Sequence, residues 1–389
     1  MKRICIITSS RADYGLLKPL IQRLCEDADF DLSIVMTGMH LCAEFGNTYR
    51  EIEADGFSIN EKISIQAPGD SPGAMSKTMG NALYKFSEYF EKNKPDLLIV
   101  LGDRYEIMAV CCAAVNERIP IAHIHGGETT EGAVDECYRH SITKMSVLHF
   151  TSCEAYRKRV LQLGEQPDKV FNVGALGVEN ALNAPLLSIE ALEKDLDFKL
   201  NDKPYGVVTF HPTTLENKSG ISQIHELLSA LDSFPDMRFI ITKANSDAGG
   251  REINRILEEY CKKHDNCYIT ESLGMTRYLS AIKYADVIIG NSSSGILEGP
   301  AMKTPTVNIG DRQKGRVLAD SVICAPPEHK CMTSAVKKAL TPEFQVLVKY
   351  AENPFGNGKT SYMIYKILRD SLKEGLSVKK KFYDISNYE

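Results

Sequence analysis

The sequence predicts an α/β fold of two Rossmann-like halves, each a parallel sheet layered by helices. Three observations carry this expectation. Short apolar runs that suit buried parallel strands recur along the chain, each followed by a segment of helical periodicity. The rhythm weakens once, around 181–203, where Pro185 breaks the pattern and a charged helical stretch at 190–197 follows; it then restarts. Finally, 389 residues are too many for one ordinary core and suit two domains of typical size.

In the first half the strand-like runs lie at 4–8, 32–36, 97–101, 119–124, 147–150 and 170–173, with helical patterns such as 16–24, 75–89 and 155–163 between them. In the second half they lie at 206–210, 239–242, 267–269, 287–289, 306–309 and 322–324. Alternation over this length implies parallel sheets joined by right-handed crossovers. The expected domains are 1–180 and 181–389, the second ending in a helix near 357–374 and a lysine-rich polar tail. Two doubly wound sheets joined at the 181–203 linker are expected to present the carboxyl ends of their strands to a shared crevice, where such sheets bind ligands.

Composition narrows the function. A hydrophobic share of 43% with 25% charged residues is ordinary for a globular protein. A net charge of −5 gives no overall attraction to nucleic acid or to an anionic membrane. The eleven cysteines contain no CxxC pair, and Cys111 and Cys112 are adjacent, which suits neither zinc nor a disulfide framework. The opening residues reach Arg11, Asp13 and Tyr14 after one short apolar run, and no stretch approaches the roughly 18 apolar residues of a membrane span. A soluble, cytoplasmic protein is expected.

Four segments carry candidate chemistry. In Val287–Glu298, an apolar strand ends in Gly290 and Asn291, three serines follow, and a helix is expected to start near Gly295. Free N–H groups and the helix dipole there favour an anion, Ser292 and Ser293 add donors, and Glu298 in the first turn suits a vicinal diol such as a ribose. A plain serine N-cap is the alternative. At 97–106, Asp103 and Arg104 follow a strand; Asp103 reads either as an acid–base group or as a helix cap paired with Arg104. At 121–136, His123 and His125 are expected to share one face of a strand, and Glu128, Glu131, Asp135 and Glu136 follow a Gly-Gly turn. Such a collection suits proton transfer better than zinc, because a third ligand at a recognised spacing is missing. His211 ends the first strand of the second half, read either as a structural hydrogen-bonder or as a functional group. Arg11 and Asp13 follow the first strand, and Arg312 offers a fork to a phosphate. Gly358-Lys359-Thr360 lacks the earlier glycine of a phosphate loop and reads as a helix start.

Taken together, SRADYG (10–15), TGMH (37–40), LGDRYEI (101–107), HIHGGE (123–128), DECYRHSITK (135–144), FHP (210–212), GNSSSG (290–295), IGDRQKGR (309–316) and KKFYDI (380–385) resemble the hydrolysing UDP-N-acetylglucosamine 2-epimerases of bacterial sialic-acid synthesis. The resemblance runs over nearly the whole chain. It implies a fold of glycosyltransferase-B type, an active site in the inter-domain cleft, and a last helix packed back on the first domain. It further implies that Ser292 and Ser293 hold the UDP diphosphate, Glu298 the ribose, and Arg11 and Arg312 the phosphates. Asp13, Arg104 and Gly290 complete the expected substrate-binding set, and Asp103, His125, Glu128, Asp135 and His211 the proton-transfer set. Some relatives carry glutamate where this chain has His125, which leaves the base open between His125 and Glu128.

The implied reaction converts UDP-N-acetylglucosamine and water to N-acetylmannosamine and UDP. No cofactor and no metal is expected; the substrate is the expected partner, and the chain is expected to form a homodimer or higher homo-oligomer. Rival readings are the same reaction on a UDP-2,4-diacetamido-2,4,6-trideoxy sugar, a non-hydrolysing epimerase, a glycosyltransferase, and a nucleotide-sugar sensor without turnover.

Overall fold

The described strands sort into two sheets, of seven and of six strands, and every pairing in both is parallel. The computed structural model describes residues 1–42, 47–69, 71–129, 134–212, 220–244 and 250–385. It divides into two compact units, Met1–Glu179 with Gly358–Glu389, and Asn180–Asn357.

Unit 1 runs β1 (Lys2–Thr8), α1 (Arg11–Cys25), β2 (Phe30–Thr37), α2 (Tyr49–Ala54), β3 (Glu61–Ile63), α3 (Pro72–Lys92), β4 (Leu97–Leu101), α4 (Tyr105–Asn116), β5 (Ile121–Ile124), α5 (Asp135–Met145), β6 (Leu148–Thr151), α6 (Glu154–Gln162) and β7 (Val170–Asn172). Then α7 (Leu176–Asn183) leads out of the unit. The strand order is β3-β2-β1-β4-β5-β6-β7. The chain first builds outward from β1 and then returns to its other side, so the order reverses between β1 and β4, where Ile4 is level with Leu97 and Ile6 with Ile99.

Both faces of this sheet are covered, and the strand period of two divides its residues between them. Ile4, Ile6, Leu97 and Ile99 pack with Leu17, Leu20 and Leu24 of α1. Cys5, Ile7, Leu98 and Val100 pack on the opposite side with Phe86 and Phe90 of α3 and Val110 of α4. The short β3, with Glu61 and Lys62 exposed, has no apolar run and was not anticipated from the sequence.

Unit 2 runs α8 (Ile189–Leu196), β8 (Tyr205–Thr209), α9 (Gly220–Asp232), β9 (Arg238–Thr242), α10 (Gly250–Cys261), β10 (Cys267–Thr270), α11 (Gly274–Tyr284), β11 (Val287–Gly290), α12 (Ser294–Met302), β12 (Thr306–Ile309), β13 (Val322–Ala325), α13 (His329–Ala339) and α14 (Pro342–Tyr350). Its order, β10-β9-β8-β11-β12-β13, reverses between β8 and β11, where Thr209 is level with Gly290. Val208, Phe239, Ile241, Ile289 and Val307 anchor its core against Leu227 of α9 and Val336 of α13.

The last helix, α15 (Thr360–Glu374), belongs to unit 1, where Ile364, Leu368 and Leu372 join the core beneath α1. Lys359 stands at its cap position and makes no side-chain cap bond. The orphan donors of the first turn are met instead by Glu179, which accepts from Ser361 N–H and Ser361 Oγ at 2.5 Å each. The same hydroxyl accepts from Arg23 Nε at 2.8 Å, which ties α15 to α1.

Glu179 is buried, so removing it strands two donors. Glu179→Ala is expected to lower stability by about 2–4 kcal/mol, read by chemical denaturation. A loss below about 0.5 kcal/mol would show that water replaces the carboxylate.

Candidate active site

The carboxyl edge of unit 1 is built turn by turn. After β1, Ser10 caps α1 in extended conformation while the Asp13 carboxylate accepts from Ser9 N–H at 2.7 Å, Ser9 Oγ at 3.2 Å and Ser10 Oγ. Asp13 is therefore buried and holds the turn itself. Arg11, on the exposed side, pairs with Glu51 at 3.2 Å. Beside them, buried His40 stands 3.0 Å from Thr8 Oγ1 and 2.7 Å from Thr48 Oγ1, and burial lowers its pKa.

After β4, the Arg104 guanidinium pairs with Glu106, and α4 has no side-chain cap bond. Burial works against the Arg104 charge, but the Glu106 carboxylate outweighs it and keeps the guanidinium above its ordinary range. Asp103 does not cap α4 or pair with Arg104, as one reading of the sequence had it; its partner is Arg139, on α5. Arg139 also donates to the Glu128 carbonyl at 2.9 Å and pairs with Glu136 at 3.1 Å. One buried guanidinium thus gathers the ends of β4 and β5 and the start of α5.

His123 and His125 do not share a strand face. Strand β5 ends at Ile124, and His125 takes a left-handed backbone with φ +66°. His123 is wholly buried, between the Gly102 carbonyl at 2.8 Å and Thr143 Oγ1 at 3.1 Å, and burial pushes it down to about 3. His125 accepts the Leu176 N–H at Nε2 (3.4 Å), and its Nδ1 lies 3.6 Å from Glu128 Oε1. That carboxylate oxygen also accepts from Ser152 Oγ at 2.7 Å. A left-handed non-glycine residue at a strand end is strained backbone of the kind that clusters at functional sites.

Asp135 opens α5, and its carboxyl is raised above the ordinary range by burial and then by the Asp103 charge. Glu131 lies outside the described residues.

In unit 2 the organiser is Asn291. Its side chain accepts His211 N–H and donates to the His211 carbonyl, both at 2.8 Å, which locks the end of β8 to the end of β11. Its own carbonyl accepts from Arg312 Nη1 at 3.1 Å and from Gln313 Nε2 at 2.9 Å. Gly290, at φ +140°, lies so close to Thr209 that any Cβ would collide with the Thr209 carbonyl. The serines follow: Ser292 Oγ accepts from Ser294 N–H at 3.3 Å, and Ser293, at the cap position, makes no side-chain cap bond. The plain serine cap is thus not what Ser293 supplies. Helix α12 begins at Ser294, so Glu298 stands just beyond the first turn. Burial pushes its carboxyl up to about 7 against its own N–H, the Ser294 hydroxyl and the Arg316 charge, and Glu298 Oε2 has no hydrogen-bond partner among the described residues.

The structure therefore brings Asp103, His125, Glu128 and Asp135 to one edge of unit 1 through Arg139, and His211, Gly290, Ser292, Ser293 and Arg312 to one edge of unit 2 through Asn291. His40, Glu106, Arg139, Asn291 and Gln313 are additions to the candidates chosen from sequence. All five lie inside motifs already quoted. Among the described residues no group of His, Cys, Asp and Glu is arranged to hold a metal ion, and no helix is long and apolar enough to cross a membrane.

Two doubly wound units with polar residues gathered at each point of strand reversal define a protein of the glycosyltransferase-B type. The chain belongs to the UDP-N-acetylglucosamine 2-epimerase family, whose model matches residues 22–369. It is 42% identical to the polysialic acid biosynthesis protein P7 of Escherichia coli, over 99% of this chain and 98% of that one. It is 44% identical to a hydrolysing GDP/UDP-N,N'-diacetylbacillosamine 2-epimerase of Campylobacter jejuni, over 88% of this chain and 89% of that one. The crystal structure of UDP-GlcNAc 2-epimerase from Neisseria meningitidis bound to UDP-GlcNAc has the same fold, with a TM-score of 0.82 at 18% identity over 95% of this chain and 100% of that one.

A carboxyl whose pKa is raised on folding stabilises the fold fully below its ordinary value of 4.5, and that contribution is lost as the pH rises through about 7. Glu298→Gln should therefore gain stability relative to the parent between pH 4.5 and pH 8 in urea denaturation. A difference independent of pH would contradict the burial of the ionised carboxylate.

Proposed function

We propose that the protein is a hydrolysing 2-epimerase that converts UDP-N-acetylglucosamine and water to N-acetylmannosamine and UDP. The observation that carries this reading is the pair of unlike carboxylates in unit 1. Asp103 is ion-paired to Arg139, while burial and the Asp103 charge raise Asp135. A carboxyl raised by burial beside an ion-paired neighbour is an arrangement that suits acid–base chemistry at one carbon.

The proton on C2 of the sugar is not acidic, because no carbonyl adjoins it. Departure of UDP breaks the C1–O bond and gives the ring oxocarbenium character, after which C2–H is far easier to remove. Donors must hold the leaving diphosphate, and the reading assigns this to Ser292, Ser293, Arg312 and the N–H groups at the start of α12, with Glu298 accepting from the ribose hydroxyls. Arg11 adds charge toward the phosphates, Asp13 holds the turn that carries it, and Arg104 belongs to the same proposed binding set. The His125–Glu128 pair takes the C2 proton. In His125 the Leu176 N–H occupies Nε2, which leaves Glu128 as the basic end of the pair. The electron pair of C2–H becomes the C1–C2 double bond of a 2-acetamidoglucal. Water then adds its hydroxyl at C1 as Asp135 delivers a proton to C2 on the opposite face; the water's remaining proton restores Asp135, Glu128 gives up the abstracted proton to solvent, and His211 assists the departing phosphate.

Similarity to the polysialic acid biosynthesis protein supports this substrate. Similarity to the hydrolysing diacetylbacillosamine epimerase favours a second reading, the same chemistry on a UDP-2,4-diacetamido-2,4,6-trideoxy sugar. Incubation with each nucleotide sugar, with the released sugar identified by NMR, separates the two. UDP and free N-acetylmannosamine are expected; faster release from the diacetamido substrate moves the assignment to the second, and a product still attached to UDP overturns both.

Asp103→Asn and Asp135→Asn are expected to bind UDP normally and to turn over roughly 10²–10⁴-fold more slowly. Ser293→Ala and Glu298→Ala are expected to weaken UDP binding by about ten- to hundredfold in calorimetry. Near-normal turnover in either aspartate variant would remove that residue from the proton-transfer set.

A further inference from the structure

The closing motif KKFYDI takes no part in either set of site residues, yet it is built into unit 1 with care. Lys380 reaches inward from an otherwise exposed tail, and its Nζ donates to the Lys144 carbonyl at 2.9 Å and the Ser146 carbonyl at 2.6 Å. Those are carbonyls at the carboxyl end of α5, which a cation satisfies both as a donor and through the helix dipole. The same ammonium pairs with Glu165 at 2.6 Å.

Glu165 is buried and shared. It pairs with Lys144 at 2.6 Å and with His149 at 2.9 Å, and His149 is wholly buried in β6. Burial alone would raise this carboxyl, but the His149, Lys144 and Lys380 bonds outweigh it and hold it at about 2. The tail is fixed just beyond Lys380 as well. Tyr383 N–H donates to the Gly164 carbonyl at 2.8 Å, and Gln166 Nε2 to the Lys381 carbonyl at 3.2 Å. The Phe382 ring lies against Gly164, where a Cβ would collide with it, and Lys144 Nζ sits 5.0 Å from the ring centre.

Helix α5 is the element through which the unit 1 cluster is assembled: Asp135 and Arg139 lie toward its amino end, and Thr143 meets His123. A rigid helix transmits a fixed carboxyl end to its amino end, and the amino end sets the Asp103–Arg139 pair. We infer that the C-terminal segment is a strap whose Lys380 is a positioning residue for the acid–base cluster, acting by capping α5 and clasping it to Glu165. The inference rests on the proton-transfer role proposed above for that cluster. The strap works from the far end of the helix, where the partners of Lys380 are Lys144, Ser146 and Glu165 and none of these is a candidate site residue.

The test is Lys380→Met in the full chain, with Lys380→Arg as the conservative variant, read three ways. Hydrogen exchange should quicken in α5 amides, which reports the strap independently of any reaction. With UDP-N-acetylglucosamine, kcat should fall about ten- to hundredfold while KM and the Kd for UDP, set in unit 2, stay within about twofold. Lys380→Arg should recover most of the lost kcat. Phe382→Ala, which loosens the strap and leaves the cap, should move the same readouts less and serves where Lys380→Met does not fold. Unchanged exchange in α5, or faster exchange with unchanged kcat, overturns the inference, as does loss of folding in both variants. A parent enzyme that does not epimerise the nucleotide sugar instead overturns the proposed function, and the exchange data remain readable on their own.

Discussion

Reversal of strand order is the constraint on which the rest of this structure depends. In a doubly wound sheet the crossovers on either side of the reversal leave in opposite directions, so the loops there part and expose strand ends that no helix covers. Between β1 and β4 this places Ser10, Arg11 and Asp103 on neighbouring turns; between β8 and β11 it does the same for His211 and Asn291–Ser293. Parted loops carry backbone groups that the sheet no longer satisfies, and each reversal has a side chain for them. Asp13 collects the donors after β1, and Asn291 bridges the chain after β8 and after β11. The groups available for chemistry are those left over once this structural demand is met.

The electrostatics follow from how many partners each buried charge receives. Glu165 is buried and Glu298 half-buried with its Oε2 inside, yet the first is held at about 2 and the second pushed to about 7. Three cationic or donor side chains converge on Glu165, whereas among the described residues its own N–H, the Ser294 hydroxyl and the Arg316 charge oppose desolvation at Glu298. The first carboxylate is a clasp; the second is the one to which the proposed function gives the ribose hydroxyls. Arg139 shows the same logic with the sign reversed, since a guanidinium buried to this degree is tolerated only because Asp103, Glu136 and the Glu128 carbonyl surround it.

Much of the fold was legible in the sequence because strands buried on both faces announce themselves as unbroken apolar runs; 97–101 and 306–309 coincide with β4 and β12. Strand β3 was not, since an edge strand with exposed Glu61 and Lys62 carries no such run. Candidate residues chosen because they follow an apolar run do stand at strand ends, as Asp103, His211 and Gly290 show. Their partners were hidden, because pairing is set by topology rather than by neighbourhood: Asp103 meets Arg139 across 36 positions, and His211 meets Asn291 across 80. His125 illustrates the opposite limit. Period-two reasoning put it on a face with His123, but the strand stops one residue too soon.

In the proposed function UDP leaves by elimination and the sugar is rehydrated, with carbon–oxygen cleavage at C1 and proton exchange at C2. Turnover of UDP-N-acetylglucosamine in D₂O tests it most directly, with the released sugar read by NMR before it equilibrates. The account predicts N-acetylmannosamine carrying deuterium at C2, because the proton returned there has passed through groups open to solvent. A released sugar with protium at C2 and its original configuration would mean simple hydrolysis by attack of water at C1, and would contradict the account.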